Sequence, residues 1–349
     1  MNIKKDKILR LQEKLDKNDI LITNNIANIF YLTGINFDGL TIAVSKNSFY
    51  ILSSPMVACQ IKKFFRNKNL IIAEDFQQQL KMLKEKIGTK NVVLEEETTS
   101  LKVYNTLKQN FKDVKIKNYI TQLRQIKDLS EISKIKTACN IVKKVLKEVK
   151  NILKEGITEL EVKNFILKKF LDYKVEPSFD PIVAFDENTS YPHHVSTDKK
   201  FKKNSLVLID LGCKYEGYCC DVTRMFNVER NQSAYYFYNQ LKRLQKQLIF
   251  LCKVNTKVKE IDLYARKFVE QLGLKDKYLH STGHGIGIEV HEPPRISYLD
   301  ETILQKNMVV TIEPGIYFED KFGLRIEDDI WIKDKGSVVL TKKLISVSS

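Results

Sequence analysis

The sequence predicts a two-domain protein of mixed α/β and α+β architecture, with an α/β domain over residues 1–121 and a helix-on-sheet domain over 122–349. Three observations predict it. A chain of 349 residues with 43% hydrophobic content exceeds the usual size of a single core. The first 120 residues alternate short apolar runs with amphipathic stretches, the pattern of an α/β layer. In the second half one unit recurs at an offset of 103: residues 203–212 (KNSLVLIDLG) align with 306–315 (KNMVVTIEPG), each an apolar strand ending in acid-x-Gly. A repeat of this kind predicts internal pseudo-two-fold symmetry.

The N-terminal elements follow from their periods. Ile8, Leu11 and Leu15 form a helical stripe, and Ile20 to Ile22 a short strand. Leu40 to Val44 and Ser48 to Leu52, with a short polar break at 45–47, read as a hairpin. Helices are expected around Met56 to Phe65 and Leu80 to Ile87, alternating with apolar runs at Leu70 and Val92. This half has no histidine and no convergent acid pair.

After the boundary near residue 121, Ile132, Ile135, Ala138, Val142, Val145 and Val149 keep helical spacing behind a capping box, Asp128 with Glu131. Gly156 is expected to stop that helix, and Thr158 with Glu161 to cap the next, which carries Leu160, Val162, Phe165 and Ile166. Strands at Leu206 to Leu211, Met308 to Ile312 and Arg325 to Ile332 alternate with helices at Tyr235 to Cys252 and Lys257 to Leu272.

Composition excludes several classes. No stretch approaches ~18 consecutive apolar residues, so no membrane span is expected. Residues 1–7 are charged and lack the apolar core of a leader, and the six cysteines lack C-x-x-C spacing, so a reducing cytoplasm is expected. The net charge of +15 divides into +8 before residue 121 and +7 after it. An excess spread on helix faces is a solvated surface, and no specific nucleic-acid partner is expected.

All five histidines fall between His193 and His291, interleaved with acids at strand ends. Asp210 and Glu313 end the repeated strands, and Asp221 and Glu327 each follow a glycine by four residues. If the two strand pairs meet, four carboxylates share one pocket beside His284. Four ionised carboxylates cannot share it unless their charge is cancelled. Two divalent cations would cancel it and lower the pKa of bound water, a combination that hydrolyses amides or esters. Imidazole with carboxylate suits Mn²⁺, Co²⁺ or Zn²⁺. The segment 283–287 (GHGIG) does not fit a phosphate-loop pattern.

The segments 210–224 (DLGCKYEGYCCDVTR), 280–294 (HSTGHGIGIEVHEPP), 311–315 (TIEPG) and 323–328 (GLRIED) together resemble the proline-specific pita-bread metallopeptidases of family M24, aminopeptidase P and prolidase. The resemblance implies a creatinase-like N-terminal domain over 1–121 and a pita-bread catalytic domain over 122–349. It implies a dinuclear centre, with Mn²⁺ favoured and Co²⁺ or Zn²⁺ as alternatives. Asp210 would bind one metal, Asp221 and Glu327 would bridge both, and His284 with Glu313 would complete the second. Glu313 would double as general base. His193 would aid the leaving group and His291 would steady the gem-diolate. His280 matches a substrate-side histidine, and His194 departs from the small residue common at its position. Arg295 matches an arginine that meets a substrate carboxylate in prolidases, while Phe179, Val290 and Tyr317 would line the pocket for a proline ring.

The expected activity is hydrolysis of the N-terminal Xaa–Pro bond of peptides with proline in second position, by an Xaa-Pro aminopeptidase whose metal-activated hydroxide attacks the bond. Proline's tertiary amide and fixed φ give such an enzyme its purpose. The N-terminal domain would restrict substrate length, within a homodimer. Xaa-Pro dipeptidase is the alternative. A non-catalytic pita-bread module that binds protein or nucleic acid, and a metal-free creatinase-like hydrolase, are both disfavoured by the full ligand set.

Overall fold

The computed structural model describes residues 4–65, 69–88 and 90–342. Its residue contacts divide the chain into two compact units, 1–124 and 125–349.

The first unit is built on a six-stranded mixed sheet in the order Leu70–Ile72, Ser48–Ser53, Leu40–Ser45, Asp19–Thr23, Asn91–Leu94, Val114–Ile116. The hairpin reverses through two residues, because Ser45 pairs with Ser48. Helices Pro55–Phe64, Phe76–Ile87 and Leu101–Asn110 supply the crossovers. Asp75 and Ser100 cap the last two by accepting from Gln78 and Val103 N–H groups. Ile20, Ile22, Leu52, Ile71, Leu80, Val92 and Leu107 belong to one buried core. Helix Ile26–Thr33 was not legible in the sequence: seven of its eight residues are buried, which leaves no amphipathic period to read.

In the second unit the capping boxes at Asp128/Glu131 and Thr158/Glu161 both form, opening helices Leu129–Ile152 and Glu159–Asp172. The first helix ends at Ile152 rather than at Gly156, which lies in the following turn at φ +91°. Helices Gln232–Leu251 and Val258–Gln271 lie between the first repeated strand pair and the second.

The strands obey the repeat. Val207–Leu211 runs antiparallel to Val222–Phe226, and Val309–Ile312 runs antiparallel to Asp328–Ile332. Each pair is interrupted by a hairpin, 213–219 in the first half and 315–325 in the second. The expected strand from Arg325 to Ile332 is therefore broken: Phe322–Arg325 closes the hairpin, Asp328–Ile332 joins a five-stranded sheet, and Glu327 sits at the break. Asp221 holds the equivalent place, immediately before Val222–Phe226. The two halves are stitched where the Glu327 N–H donates to the Thr223 carbonyl at 3.3 Å. The offset of 103 extends to the helices, since Leu129 and Gln232 begin the two halves.

Candidate metal centre

Five side chains from both halves converge at the stitched seam. Asp210 lies near the end of Val207–Leu211, Asp221 and Glu327 precede the paired strands, His284 is central in Gly283–Gly285, and Glu313 follows Val309–Ile312. Close approach depends on glycine. A Cβ at Gly212 would stand 2.0 Å from the Cys220 carbonyl, and one at Gly283 would stand 2.0 Å from that of Thr311. Any other residue would force the strands apart and spread the acids.

The donor atoms of Asp221, His284 and Glu327 all lie within 4.8 Å of one another. His284 Nε2 is 3.6 Å from both Asp221 Oδ2 and Glu313 Oε1. That is too long for a hydrogen bond. It is the spacing of donors that share an ion. The other ring nitrogen, Nδ1, faces the Gly285 carbonyl at 3.1 Å and donates to it, which fixes the tautomer with Nε2 free. Burial, with the neighbouring His291, pushes the His284 pKa down to about 3, so the ring is neutral as a metal ligand must be.

The carboxylates supply the test of fit. Asp210 Oδ1, Asp221 Oδ1 and Glu327 Oε1 are buried and have no hydrogen-bond partner among the described residues. The second oxygens of Asp210 and Glu327 are held: Arg325 Nη2 donates to Asp210 Oδ2 at 2.7 Å, and Thr223 Oγ1 donates to Glu327 Oε2 at 2.8 Å. Buried carboxylate oxygens without partners are costly. Three in one cluster with a neutral imidazole form a donor set that divalent cations satisfy.

Without cations the cluster resists ionisation. Burial first, then mutual repulsion, raises Asp221 and Glu327 well above the usual carboxylate range, and burial pushes Glu313 up to about 8. A carboxyl raised in the folded state keeps its proton where the unfolded chain, at 4.5, has lost it. The folded metal-free chain thus holds stability below that value that is lost as pH rises through the folded pKa. Each such group contributes a slope of about 1.4 kcal/mol per pH unit. Thermal melts of metal-free protein are expected to fall between pH 5 and 8, and saturating divalent metal to flatten the profile. A flat profile without metal would contradict this account.

The other site residues divide. His291 is exposed and meets His284 edge-to-face, with ring centroids 4.5 Å apart. His193, also exposed, lies near enough for its charge to act on both His291 and His280. His280 Nδ1 is 2.8 Å from the Ser281 carbonyl and 3.9 Å from Glu313 Oε2, and its Nε2 is 2.9 Å from the Tyr317 hydroxyl. Tyr317, expected to line the pocket, is instead only 2% exposed. Its hydroxyl accepts from Arg325 Nη1 at 2.9 Å and faces His280, so it positions neighbours rather than offering a wall. Phe179 packs its ring against Gly212, and the Val290 backbone lies beside the His284 ring. Arg295 is exposed and pairs across the strands with His284.

His194 belongs elsewhere. Its Nε2 is 2.8 Å from Glu159 Oε2, and Glu159 is fully buried, also accepting from Phe185 N–H, Asn188 Nδ2 and the N–H and hydroxyl of Thr197. Burial pushes the Glu159 pKa up, yet these hydrogen bonds, His194 foremost, hold it below the usual value. The second half repeats the device 103 residues on. Asp262, fully buried, accepts from Thr282 N–H and Oγ1, Tyr298 N–H and Arg266 Nε. Sequence reasoning missed both acids, although the repeat offset applied to Glu159 points to Asp262. Replacing His194 with alanine strips a buried charge of a donor and is expected to cost about 1.5–3 kcal/mol of stability. Denaturant unfolding would read this, with turnover of the folded fraction little changed.

Known proteins match on both units. Residues 133–334 fit the model of metallopeptidase family M24, and residues 7–126 fit that of the creatinase/prolidase N-terminal domain. The chain is 32% identical over 346 residues to an Xaa-Pro dipeptidase of Pyrococcus furiosus, covering 97% of this chain and 98% of the relative. A solved Xaa-Pro dipeptidase from Bacillus anthracis superposes with a TM-score of 0.91 at 27% identity, covering 98% of this chain and 99% of its own. A solved X-Pro aminopeptidase from Thermotoga maritima reaches 0.84 at 30% identity, covering 97% and 98%.

Proposed function

The chain belongs to metallopeptidase family M24, and from that premise we propose that it is an Xaa-Pro dipeptidase, a metal-dependent hydrolase that cleaves the bond before the proline of Xaa-Pro. The observation that carries the hydrolase reading is the set of three unpartnered buried carboxylate oxygens around a neutral His284. Asp210, Asp221, His284, Glu313 and Glu327 would hold two divalent cations, with Mn²⁺ as the expected ion. Bound there, the ions supply Lewis acidity and a nucleophilic water near neutral pH.

The chain's own groups do the rest. Of Asp210, Asp221 and Glu313, Glu313 has the most accessible side chain, 16% exposed against 11% for Asp210 and 7% for Asp221, as suits a group that must meet substrate. It would take a proton from the attacking water and pass it to the leaving nitrogen. His291 and His193, both exposed beside the centre, would donate to the carbonyl oxygen as charge develops there and to the leaving group. Arg325, anchored on Asp210, Thr223 and Tyr317, holds the acid and the tyrosine in place.

The sequence reading put the aminopeptidase first. Arg295 and the named relatives support the dipeptidase better. The Arg295 guanidinium makes no hydrogen bond or ion pair among the described residues, yet its charge reaches His291 and Glu313. A guanidinium so placed suits the carboxylate that a dipeptide, and not a longer peptide, carries on proline. Assay of purified protein plus Mn²⁺ on Xaa-Pro and Xaa-Pro-Yaa separates the two, and failure on both sinks the hydrolase reading. The Arg295→Met variant is expected to raise KM for Xaa-Pro roughly 10- to 100-fold while leaving any tripeptide turnover nearly unchanged. A homodimer remains the expected assembly, to be read by sedimentation.

A further inference from the structure

We propose that Cys139, Cys220 and Asp329, with Cys213 beside them, form a third cation site that takes a thiophilic ion such as Zn²⁺ or Cd²⁺. The three principal donors come from different elements: helix Leu129–Ile152, the connection before Val222–Phe226, and strand Asp328–Ile332. Their ligand atoms all lie within 4.8 Å of one another. Cys139 Sγ is 3.4 Å from Asp329 Oδ2, and the Cys213 N–H points at Cys220 Sγ at 3.5 Å. Cys213 and Cys220 are fully buried and Cys139 is 1% exposed.

The second observation is Asp329 itself. It is fully buried, and its Oδ1 has no partner among the described residues. Its Oδ2 accepts the Asp221 N–H at 3.2 Å and faces the Cys139 thiol, so one oxygen is committed and the other is left over. A buried carboxylate with a spare oxygen among thiols is costly as it stands and is satisfied by a cation.

Donor chemistry separates this site from the carboxylate and imidazole pocket. Thiolates select Zn²⁺, Cd²⁺ and similar ions, whereas Mn²⁺ prefers oxygen. Two thiolates and one carboxylate around a divalent ion leave a net charge of −1, as in Cys₃His zinc sites. The two thiol protons are released to solvent on binding. The enclosure of the donors suits an ion taken up during folding, as structural sites are closed. An ion there would pin the Asp221 backbone through Asp329, and it would join the helix to both strand pairs. Its donors are scattered over the chain, so cysteine spacing carried no hint of it.

The test is refolding of the full-length protein with excess Mn²⁺ and increasing Cd²⁺. A thiolate-to-cadmium charge-transfer absorption in the ultraviolet is expected to saturate at one Cd²⁺ per chain. It is expected to persist in His284→Ala, which removes the imidazole of the other site, and to vanish in the Cys139→Ser/Cys220→Ser double variant. No band in the unsubstituted protein, or a band that survives the double substitution, overturns the proposal. X-ray absorption at the cadmium edge of the unsubstituted protein requires no variant. Sulfur in the first coordination sphere is expected, and a sphere of oxygen and nitrogen alone overturns the site whether or not the peptidase reading holds.

Discussion

Asp221→Ala is expected to strip the centre of bound metal and reduce turnover by on the order of a thousand-fold or more, the loss of several kcal/mol of transition-state stabilisation. Asp221 Oδ2 faces His284 Nε2 at 3.6 Å, and Oδ1 is buried without a partner, so both oxygens are spare for cations. Its backbone is anchored independently through Asp329, so alanine keeps the chain path. A second signature separates metal loss from misfolding. Burial and the charges of Glu327, Asp210, Asp329 and Glu313 all oppose ionisation of Asp221. Removing that carboxyl relieves the metal-free cluster, and metal-free Asp221→Ala is expected to melt above metal-free unsubstituted protein at pH 8. With saturating metal the order reverses. Elemental analysis retaining two ions per chain in the variant would refute the assignment.

The centre was legible in the sequence because duplication wrote it twice. Acid-x-Gly after matched apolar runs at 210–212 and 313–315 located two acids, and glycine four residues ahead of Asp221 and Glu327 located two more. Strand pairing then brings them together by one topology in both halves. Contacts that the repeat does not encode stayed hidden. Arg325 reaches Asp210 across 115 positions, and nothing local marks the pair. The break falls at the acids Glu327, Asp328 and Asp329, with apolar residues on either side that read as one strand although the two parts join different sheets. Tyr317 was expected in the pocket wall through the resemblance, whereas in the fold it is buried and its hydroxyl is committed to Arg325 and His280. The exposed helix Leu101–Asn110 and the buried helix Ile26–Thr33 both went unread, the second because a helical period needs one wet face.

Glu313→Gln is the second large effect, and it asks whether the residue is more than a ligand. Glutamine keeps the shape and an oxygen donor but cannot carry a proton between water and the leaving nitrogen, a role worth about 10²–10⁴-fold. Turnover is expected to fall by that range, with KM for Xaa-Pro changed far less. The backbone should not move, since the Glu313 N–H donates to the Thr282 carbonyl at 2.8 Å and is untouched by the change. If the residue served only to hold metal, raising the Mn²⁺ concentration would restore turnover as occupancy recovers. If it transfers the proton, the saturated variant stays slow and the acidic limb of its pH–rate profile flattens, because the group whose ionisation shaped that limb is gone. The 3.9 Å between Glu313 Oε2 and His280 Nδ1 supplies the internal control. His280→Gln leaves the carboxylate in place, so the acidic limb should survive there and be lost only in the Glu313 variant.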